Sequence, residues 1–112
     1  MSLSHEQQEF VLDVARLIFF AEENGIRLTA GEFLRTKEQQ KIYFETGKSK
    51  TMNSNHLRKL AVDFNFFLNG KLTYEKSKLI ILGEYWESLN EKNRWGGNFK
   101  SFTDTPHFER NI

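Results

Sequence analysis

Residues 60–68 read Leu-Ala-Val-Asp-Phe-Asn-Phe-Phe-Leu, and this stretch constrains the fold more than any other part of the chain. Successive side chains of a strand point to opposite faces of the sheet. One face would therefore carry five apolar side chains, those of Leu60, Val62, Phe64, Phe66 and Leu68. Asp63 would lie on the other face with Ala61 and Asn65. The pattern predicts a strand with one face on the core and an aspartate turned away from it.

A similar alternation occurs near the C-terminus, where Phe108 stands between two polar residues, His107 and Glu109. Phe108 is predicted to face the core, and its two neighbours are predicted to turn outward. Two strands lying side by side would bring Asp63 and His107 together. His56 would then reach them from the loop before the first strand.

Two histidines and one aspartate are the ligand set of an open zinc site. Three protein ligands leave a fourth position for water, which is typical of catalytic rather than structural zinc. We therefore expect His56, Asp63 and His107 to bind one Zn²⁺. Asp104 lies three residues before His107 and is the candidate base for activating water. Pro106 has a fixed backbone angle, which restrains the placement of Asp104 relative to His107.

These motifs resemble those of a known family. Ser-x-His at 54–56, Ala-x-Asp at 61–63 and Asp-x-x-His-Phe-Glu at 104–109 are similar to the zinc peptidases of the D-Ala-D-Ala carboxypeptidase and L-alanyl-D-glutamate endopeptidase family, especially its phage endolysins. The resemblance runs from about residue 35 to 109 and implies the hedgehog/DD-peptidase fold. That fold is α+β, with a small antiparallel sheet and about three helices. Lys59 stands where the family usually has a turn-forming glycine, which puts the path of this loop in question but not the identity of the ligands.

The resemblance implies further site residues. In the family an arginine followed five residues later by a glutamine lines the active site, and Arg35 and Gln40 match this pattern. Arg35 cannot lose its charge and would polarise the scissile carbonyl or hold a substrate carboxylate. Gln40 and Ser54 are candidate substrate-binding residues, although the Ser54 hydroxyl could instead merely cap a turn. Trp95 is interpreted as a core aromatic beside the cleft.

The leading interpretation is a zinc metallopeptidase that hydrolyses peptidoglycan stem peptides, as an L-alanyl-D-glutamate endopeptidase of phage or prophage endolysin type. One alternative is a D,D-carboxypeptidase of the same family, although a short chain has little with which to close a pocket around a terminal carboxylate. The other is a non-catalytic, zinc-containing module that binds the cell wall. Asp104 argues against that module, because a structural site needs no free carboxylate.

The composition limits the remaining classes. The 112 residues leave room for one domain, residues 1–112, and a net charge of +1 gives no general case for nucleic acid as a partner. Four basic residues flank the first motif, and they form either a solvated loop or a positive rim that attracts acidic peptides; they are Lys48, Lys50, Arg58 and Lys59. The absence of cysteine excludes disulfides and thiolate ligands.

No apolar run approaches the roughly 20 residues of a membrane span, and no signal peptide opens the chain. We expect a monomer that is made in the cytoplasm. The resemblance implies that it would reach the cell wall by holin-assisted release.

The other elements are predicted from helical periodicity and turn residues. A helix is predicted to begin at a capping box of Ser4 and Gln7 and to end at Asn24-Gly25. Its apolar stripe consists of Phe10, Val11, Val14, Leu17, Ile18 and Ala21. A strand is predicted over residues 26–34, with a candidate break at Gly31.

Two more helices are predicted further along the chain. One begins at Thr36 and ends at Thr46. Asn69-Gly70 predicts a turn after the central strand, and Thr73 is predicted to cap a helix that runs to about Leu89.

Overall fold

The computed structural model describes residues 2–49 and 54–112. Within these ranges the chain forms three α-helices, five strands and two short 3-10 helices. The elements in chain order are α1 (Leu3–Glu23), β1 (Ile26–Ala30), α2 (Lys37–Glu45), the first 3-10 helix (Asn55–Arg58), β2 (Ala61–Leu68), β3 (Lys71–Thr73), α3 (Lys76–Leu89), β4 (Asn93–Trp95), the second 3-10 helix (Gly96–Asn98) and β5 (His107–Arg110). The predicted α+β class, with a small antiparallel sheet and three helices, is confirmed.

The sheet is built around β2. Its second half pairs with β1 and β3, and its first half pairs with β5, which in turn pairs with β4. All of these pairings are antiparallel. Alternation along β2 places Val62, Phe64 and Phe66 in the core, while Asp63 lies on the opposite face and is only partly buried. The predicted faces of this strand are therefore confirmed.

α1 and α3 supply the other half of the core. The buried apolar residues of the two helices are Phe10, Val14, Leu17, Ala21, Leu79, Leu82 and Trp86. Trp86 makes edge-to-face contacts with both Phe10 and Phe108, at centroid distances of 5.6 and 5.9 Å. The buried side of α1 is narrower than the predicted stripe, because Val11 and Ile18 are exposed. Trp95 is fully buried, as predicted.

The helix starts differ in part from the predictions. α1 is capped by Ser2, which accepts a hydrogen bond from the amide of His5, and not by Ser4. Gln7 forms no capping box with Ser4, because Ser4 lies inside α1 and is not its N-cap. The side-chain amide of Gln7 instead donates to the carbonyl of Arg58, 2.7 Å away. Thr36 caps α2 as predicted. Thr73 lies in a strand instead of capping α3.

The origin of this last difference is the turn at Asn69-Gly70. Both residues have positive φ, 52° and 77°, which is the geometry of a tight hairpin turn. The turn returns the chain along β2 for three residues as β3 before α3 begins at Lys76. Three residues with one apolar member are too few for an alternation pattern to be recognised in the sequence.

β1 ends one residue before Gly31, the candidate break, so the predicted strand to residue 34 is too long. The chain beyond it still follows β2. The amide of Gly31 donates to the carbonyl of Asp63 at 2.7 Å, and the amide of Asp63 donates to the carbonyl of Glu32 at 2.9 Å. A β-carbon on Gly31 would lie 2.7 Å from the Asp63 carbonyl oxygen, so only glycine permits this approach. The backbone of Asp63 is thus fixed from this side.

None of the helices in the described ranges combines the length and the apolar character that a membrane crossing requires.

Candidate metal centre

The three predicted metal ligands converge in the structure. Asp63 of β2 and His107 of β5 are direct cross-strand partners, as the two alternation patterns predicted. Together with His56 they offer three ligand atoms that all lie within 4.8 Å of one another. Both histidine side chains are buried, and the aspartate is partly buried between them.

His56 is positioned by the first 3-10 helix. The hydroxyl of Ser54 accepts a hydrogen bond from the His56 amide at 3.2 Å and caps this helix. The His56 Nδ1 lies 3.2 Å from the carbonyl oxygen of Phe33, so Nδ1 carries the proton and donates it. Nε2 is therefore left with its lone pair, facing Asp63 Oδ1 at 3.4 Å.

Lys59 ends the same 3-10 helix in the left-handed conformation, with φ 59° and ψ 37°. This is the conformation that glycine adopts readily and that a lysine adopts at a cost. The departure from the family pattern at this position therefore does not remove the turn. The lysine takes up the backbone angle that a glycine would have supplied.

His107 lies between two carboxylates. Its Nδ1 is 3.2 Å from Asp63 Oδ1, and its Nε2 is 2.7 Å from Glu109 Oε1. Burial alone would lower the pKa of His107, but the hydrogen bonds to Asp63 and Glu109 outweigh it and raise that pKa to about 9. Burial would likewise raise the pKa of Asp63, yet its hydrogen bond with His107 and the nearby His56 hold that pKa well below the usual range. The cluster is thus built to contain positive charge.

The residues of this cluster fit a metal ion. His56 Nε2 is a buried nitrogen for which the described residues supply no hydrogen-bond partner. Such orphaned atoms are rare in native structures and indicate a missing ion or water. In each histidine, the nitrogen that faces away from the cluster is held by an acceptor, which is the usual arrangement around a metal ligand. Two imidazoles and one carboxylate are a donor set that zinc prefers.

Asp104 lines the pocket in front of this cluster. Burial raises the pKa of its carboxyl above the usual value, although the nearby His107 opposes the rise. Its backbone is tightly held, because its amide donates to the Gly96 carbonyl at 2.9 Å and its own carbonyl accepts from the His107 amide at 3.1 Å. A β-carbon on Gly96 would lie only 2.2 Å from the Asp104 carbonyl oxygen. The close packing of this segment therefore requires glycine.

Arg35 also lines the pocket, and its backbone amide donates to the carbonyl of His56 at 3.3 Å. Its guanidinium is held from several sides. It donates to Glu32 through Nε and to Gln40 Oε1 through Nη1 at 2.7 Å, and it lies 4.8 Å from the ring centroid of Tyr43. These contacts leave Arg35 about 10% exposed, so its charge is presented to the pocket in a fixed orientation.

The two candidate substrate-binding residues serve Arg35 and His56 in this structure. Gln40 is fully buried, and its amide is used at both ends, by Arg35 at Oε1 and by the Ser49 hydroxyl at Nε2. Gln40 contacts Arg35 on the side away from the pocket and is not among the residues that line the pocket. Ser54 caps the helix that carries His56, which is the second of its two predicted roles, and also lies 3.5 Å from Arg35 Nη1.

The pocket has a volume of about 370 Å³ and several basic side chains around it. Lys48 and Arg58, two members of the predicted positive rim, are among the lining residues. Lys59 is exposed, and Lys50 lies outside the described residues. Arg94 adds a further cation to the pocket wall that the sequence did not indicate.

The sequence did not indicate the partners of the site residues. Glu109 was expected to turn outward, and it does share a face with His107, but it is buried there. No sequence motif indicated Arg94, which neighbours Glu109. The same is true of the two residues that hold Arg35, Glu32 and Tyr43. The signal that could have found Arg94 is the pairing of β4 with β5, which sets Arg94 directly opposite Glu109.

Comparison with known proteins agrees with this geometry. A sequence model of the family described as D-alanyl-D-alanine carboxypeptidase matches residues 47–110, more than half of the chain and including all three cluster residues. The chain belongs to the D-alanyl-D-alanine carboxypeptidase family. The resemblance inferred from the motifs is therefore confirmed.

Two further proteins are similar to this family member, one in sequence and one in structure. The L-alanyl-D-glutamate peptidase of Listeria phage A118 is 33% identical over 105 residues, which cover 86% of this chain and 34% of that protein. The family member thus spans about a third of the length of this curated relative. The crystal structure of the Serratia marcescens L-Ala D-Glu endopeptidase ChiX aligns with a TM-score of 0.72 at 24% identity, covering 96% of this chain and 85% of that one. At this identity the likeness establishes the shared fold.

Proposed function

We propose that the chain is a zinc-dependent peptidase that hydrolyses peptidoglycan stem peptides, as an L-alanyl-D-glutamate endopeptidase. The observation that carries the proposal is the cluster of three ligand atoms with the orphaned His56 Nε2, opening onto a pocket that Asp104 and Arg35 line. Membership of the family and the names of the two relatives support the reaction and the substrate.

In this proposal the zinc ligands are His56 Nε2, Asp63 Oδ1 and His107 Nδ1. Zinc would supply Lewis acidity, which acidifies water and polarises a carbonyl oxygen. The protein's part is to hold the three donors with fixed tautomers and to leave one side of the cluster open to the pocket.

Asp104 is proposed as the general base and then the general acid. Its carboxylate takes the proton of the attacking water and delivers it to the nitrogen of the leaving amine, so that the carboxylate is regenerated at the end of the cycle. The burial that raises the pKa of Asp104 makes its carboxylate a better proton acceptor than an exposed aspartate. The backbone contacts with Gly96 and His107 fix its distance from the cluster.

Arg35 is proposed to bind the scissile carbonyl oxygen or a carboxylate of the substrate. Its guanidinium is held in place by Glu32, Gln40 and Tyr43, so little reorganisation is needed when negative charge develops on that oxygen. Gln40 acts in this proposal by positioning Arg35. Ser54 faces both Arg35 and the His56 helix and is proposed to contribute to binding through its hydroxyl.

The bond that is cut distinguishes two candidate activities. The names of the phage and Serratia relatives favour cleavage between L-Ala and D-Glu. The description of the family favours removal of a terminal D-Ala as the second candidate. We further propose that the protein acts as a monomer at the cell wall, which it reaches by holin-assisted release.

Digestion of purified peptidoglycan, followed by mass analysis of the released ends, tests the proposal. Free L-Ala carboxyl ends and new D-Glu amino ends are expected, and a chelator should abolish their release until zinc is restored. Release of D-Ala alone would instead indicate the carboxypeptidase. If the zinc-loaded protein releases neither product, the proposed function is wrong.

The matched variant for this assay is Asp104→Asn, which keeps the size of the side chain and removes its basicity. It should retain zinc and lose turnover by about 10²–10⁴-fold, the usual contribution of a general base. Glu75→Gln, at an exposed carboxylate at the N-terminus of α3, makes the same chemical change and should leave turnover unaltered. Normal turnover by the Asp104 variant would show that the base has been assigned wrongly.

A further inference from the structure

Glu109 and Arg94 form an ion pair directly behind the His107 ring. The two residues are cross-strand partners on β5 and β4, just as His107 and Asp63 are partners on β5 and β2. Strand pairing therefore lines up four side chains in the order Asp63, His107, Glu109 and Arg94. The line runs from the metal cluster to a half-exposed arginine at the pocket wall.

The two oxygens of the Glu109 carboxylate are divided between its neighbours. Oε2 accepts two hydrogen bonds from Arg94, from Nε at 2.9 Å and from Nη2 at 2.6 Å. Oε1 is thereby left to accept from His107 Nε2 at 2.7 Å. The carboxylate is thus fixed in orientation although it is almost fully buried.

This geometry selects one orientation of the His107 ring. Half a turn about the bond to the ring would point carbon atoms at both Asp63 and Glu109. Both carboxylates would then lose a hydrogen bond, and for the buried Glu109 this costs about 1–3 kcal/mol or more, because the group is charged. The hydrogen bond to Glu109 also holds a proton on Nε2, so in the neutral ring Nδ1, which faces Asp63, is the nitrogen left for a metal.

Phe99 completes the arrangement. Its ring lies 5.7 Å from the His107 ring, and the Arg94 guanidinium lies over it at 5.4 Å. Glu109 and His107 are both buried, and in this setting the hydrogen bond between them is stronger than it would be in water.

We propose that Glu109, oriented by Arg94, is a positioning residue that fixes the tautomer and ring orientation of His107 and thereby sets how tightly the cluster binds a divalent metal. The inference rests on the metal site of the proposed function. It adds to that function two residues that would not themselves bind the metal.

The test is metal binding by the full chain, measured without any substrate. Zn²⁺ affinity is obtained by competition with a chromogenic chelator, and Co²⁺ serves as a spectroscopic probe of ligand geometry. Glu109→Ala is expected to weaken Zn²⁺ binding by about 10–100-fold, the usual effect of removing such a partner, and to alter the visible spectrum of the Co²⁺ complex. Glu109→Gln keeps an oxygen that can accept from Nε2 and should restore part of the affinity. Arg94→Met should fall between the wild type and Glu109→Ala.

Two controls separate positioning from general stability. Glu87→Gln removes a carboxylate that accepts from the Trp95 amide on the far side of β4, and it should leave the Zn²⁺ affinity and the Co²⁺ spectrum unchanged. The thermal stability of each chelator-treated variant is measured in parallel. A purely structural role of Glu109 would change the stability of the variants, but their Zn²⁺ affinity would not rise in the order Glu109→Ala, Glu109→Gln, wild type. Unchanged affinity and spectrum in Glu109→Ala would overturn the positioning role alone. If the wild type binds neither ion, the metal site and the positioning role both fail.

Discussion

The two faces of β5 carry buried charged clusters that are organised in opposite ways. His107 and Glu109 lie on the face of the metal cluster, whereas Arg110 points to the other face and packs against α1. Every nitrogen of the Arg110 guanidinium has an acceptor: Nη1 bonds to Glu6 at 3.1 Å, Nη2 to Asp13 at 2.7 Å and Nε to Asn93 at 3.2 Å. The Arg110 cluster is complete within the chain.

The metal cluster is not complete in this sense. The described residues give His56 Nε2 no hydrogen-bond partner, although the atom is buried. The Asp63 carboxylate lies between two histidine rings, 3.4 Å from His56 Nε2 and 3.2 Å from His107 Nδ1, so three potential ligand atoms face one another. Saturation of hydrogen-bonding groups therefore distinguishes a cluster that supports the fold from one that is prepared for a ligand.

The largest effect is expected for His56→Leu, which removes the orphaned nitrogen. Binding of Zn²⁺ should be lost entirely, because one of three protein ligands is gone. In the presence of a chelator, however, the free energy of unfolding should change by no more than about 1 kcal/mol. The lost hydrogen bond to the Phe33 carbonyl is offset by removal of a buried nitrogen that has no partner. Metal analysis and urea unfolding with chelator measure the two quantities.

The proposed difference between the metal cluster and the Arg110 cluster would be contradicted if His56→Leu destabilised the chelator-treated protein by several kcal/mol. The metal cluster would then support the fold in its own right, as the Arg110 cluster does.

Arg110→Met is the corresponding change in the saturated cluster. It removes the buried cation that Glu6 and Asp13 share and leaves each acid only a partly exposed partner, Lys92 and Arg16 respectively. Breaking a buried pair typically costs about 3–5 kcal/mol. We expect a loss of this size in urea unfolding, with the Zn²⁺ affinity of the folded protein unchanged. Arg16→Met is the matched control, since Arg16 contacts the same Asp13 from a half-exposed position and should cost less than about 1 kcal/mol. Equal losses of unfolding free energy in the two variants would show that burial of the Arg110 ion pairs does not make them more stabilising than the half-exposed pair of Arg16.

Alanine substitutions at two glycines, Gly96 and Gly83, should have effects of intermediate size and test whether close packing positions the metal cluster. A β-carbon on Gly96 would meet the Asp104 carbonyl at 2.2 Å and His107 Cβ at 2.9 Å, whereas one on Gly83 would meet the Trp95 ring at 2.0 Å. Both alanine variants should lose about 1–3 kcal/mol of stability through overpacking. Only Gly96→Ala should also weaken Zn²⁺ binding, because it displaces a ligand and the base. Chelator competition on both variants is the measurement, and equal affinities would show that the Gly96 contact does not position the site.

The metal cluster could be predicted from sequence because it depends on local alternation. Asp63 and His107 each sit in a strand whose apolar face is obvious, so their shared opposite face follows from the period of two. His56 is only seven residues from Asp63 and belongs to the loop before the strand. No long-range information beyond the pairing of two strands was needed.

The Arg110 cluster could not be predicted in this way. Its arginine meets Glu6 and Asp13 across separations of 104 and 97 residues. Helical spacing puts both acids on the same face of α1 as Phe10 and Leu17, but a carboxylate in sequence is expected to be exposed. A buried carboxylate on a helix is recognised only when its cation is known to arrive from another element. The same limit applies to Gln40, whose spacing from Arg35 was evident but whose burial beneath it was not.

The smallest expected effect concerns strain in the loop that carries His56. Lys59 holds φ at 59°, which costs a non-glycine residue about 1–2 kcal/mol. Lys59→Gly relieves this strain but loses about 0.5–1 kcal/mol because glycine is more flexible in the unfolded chain. A net gain of about 0.5–1 kcal/mol is therefore expected in urea unfolding with chelator, and Zn²⁺ affinity should be unchanged because the turn keeps its path.

Lys59→Ala is the control, because it removes the same charge and keeps the strain. A stability equal to that of Lys59→Gly would contradict strain at this position and attribute any gain to the lost charge. If the glycine variant instead gained stability and lost Zn²⁺ affinity, the left-handed lysine would itself be holding His56 in place. The strain would then be part of the metal site, and the site face of the molecule would carry a conformational cost that the saturated face around Arg110 does not.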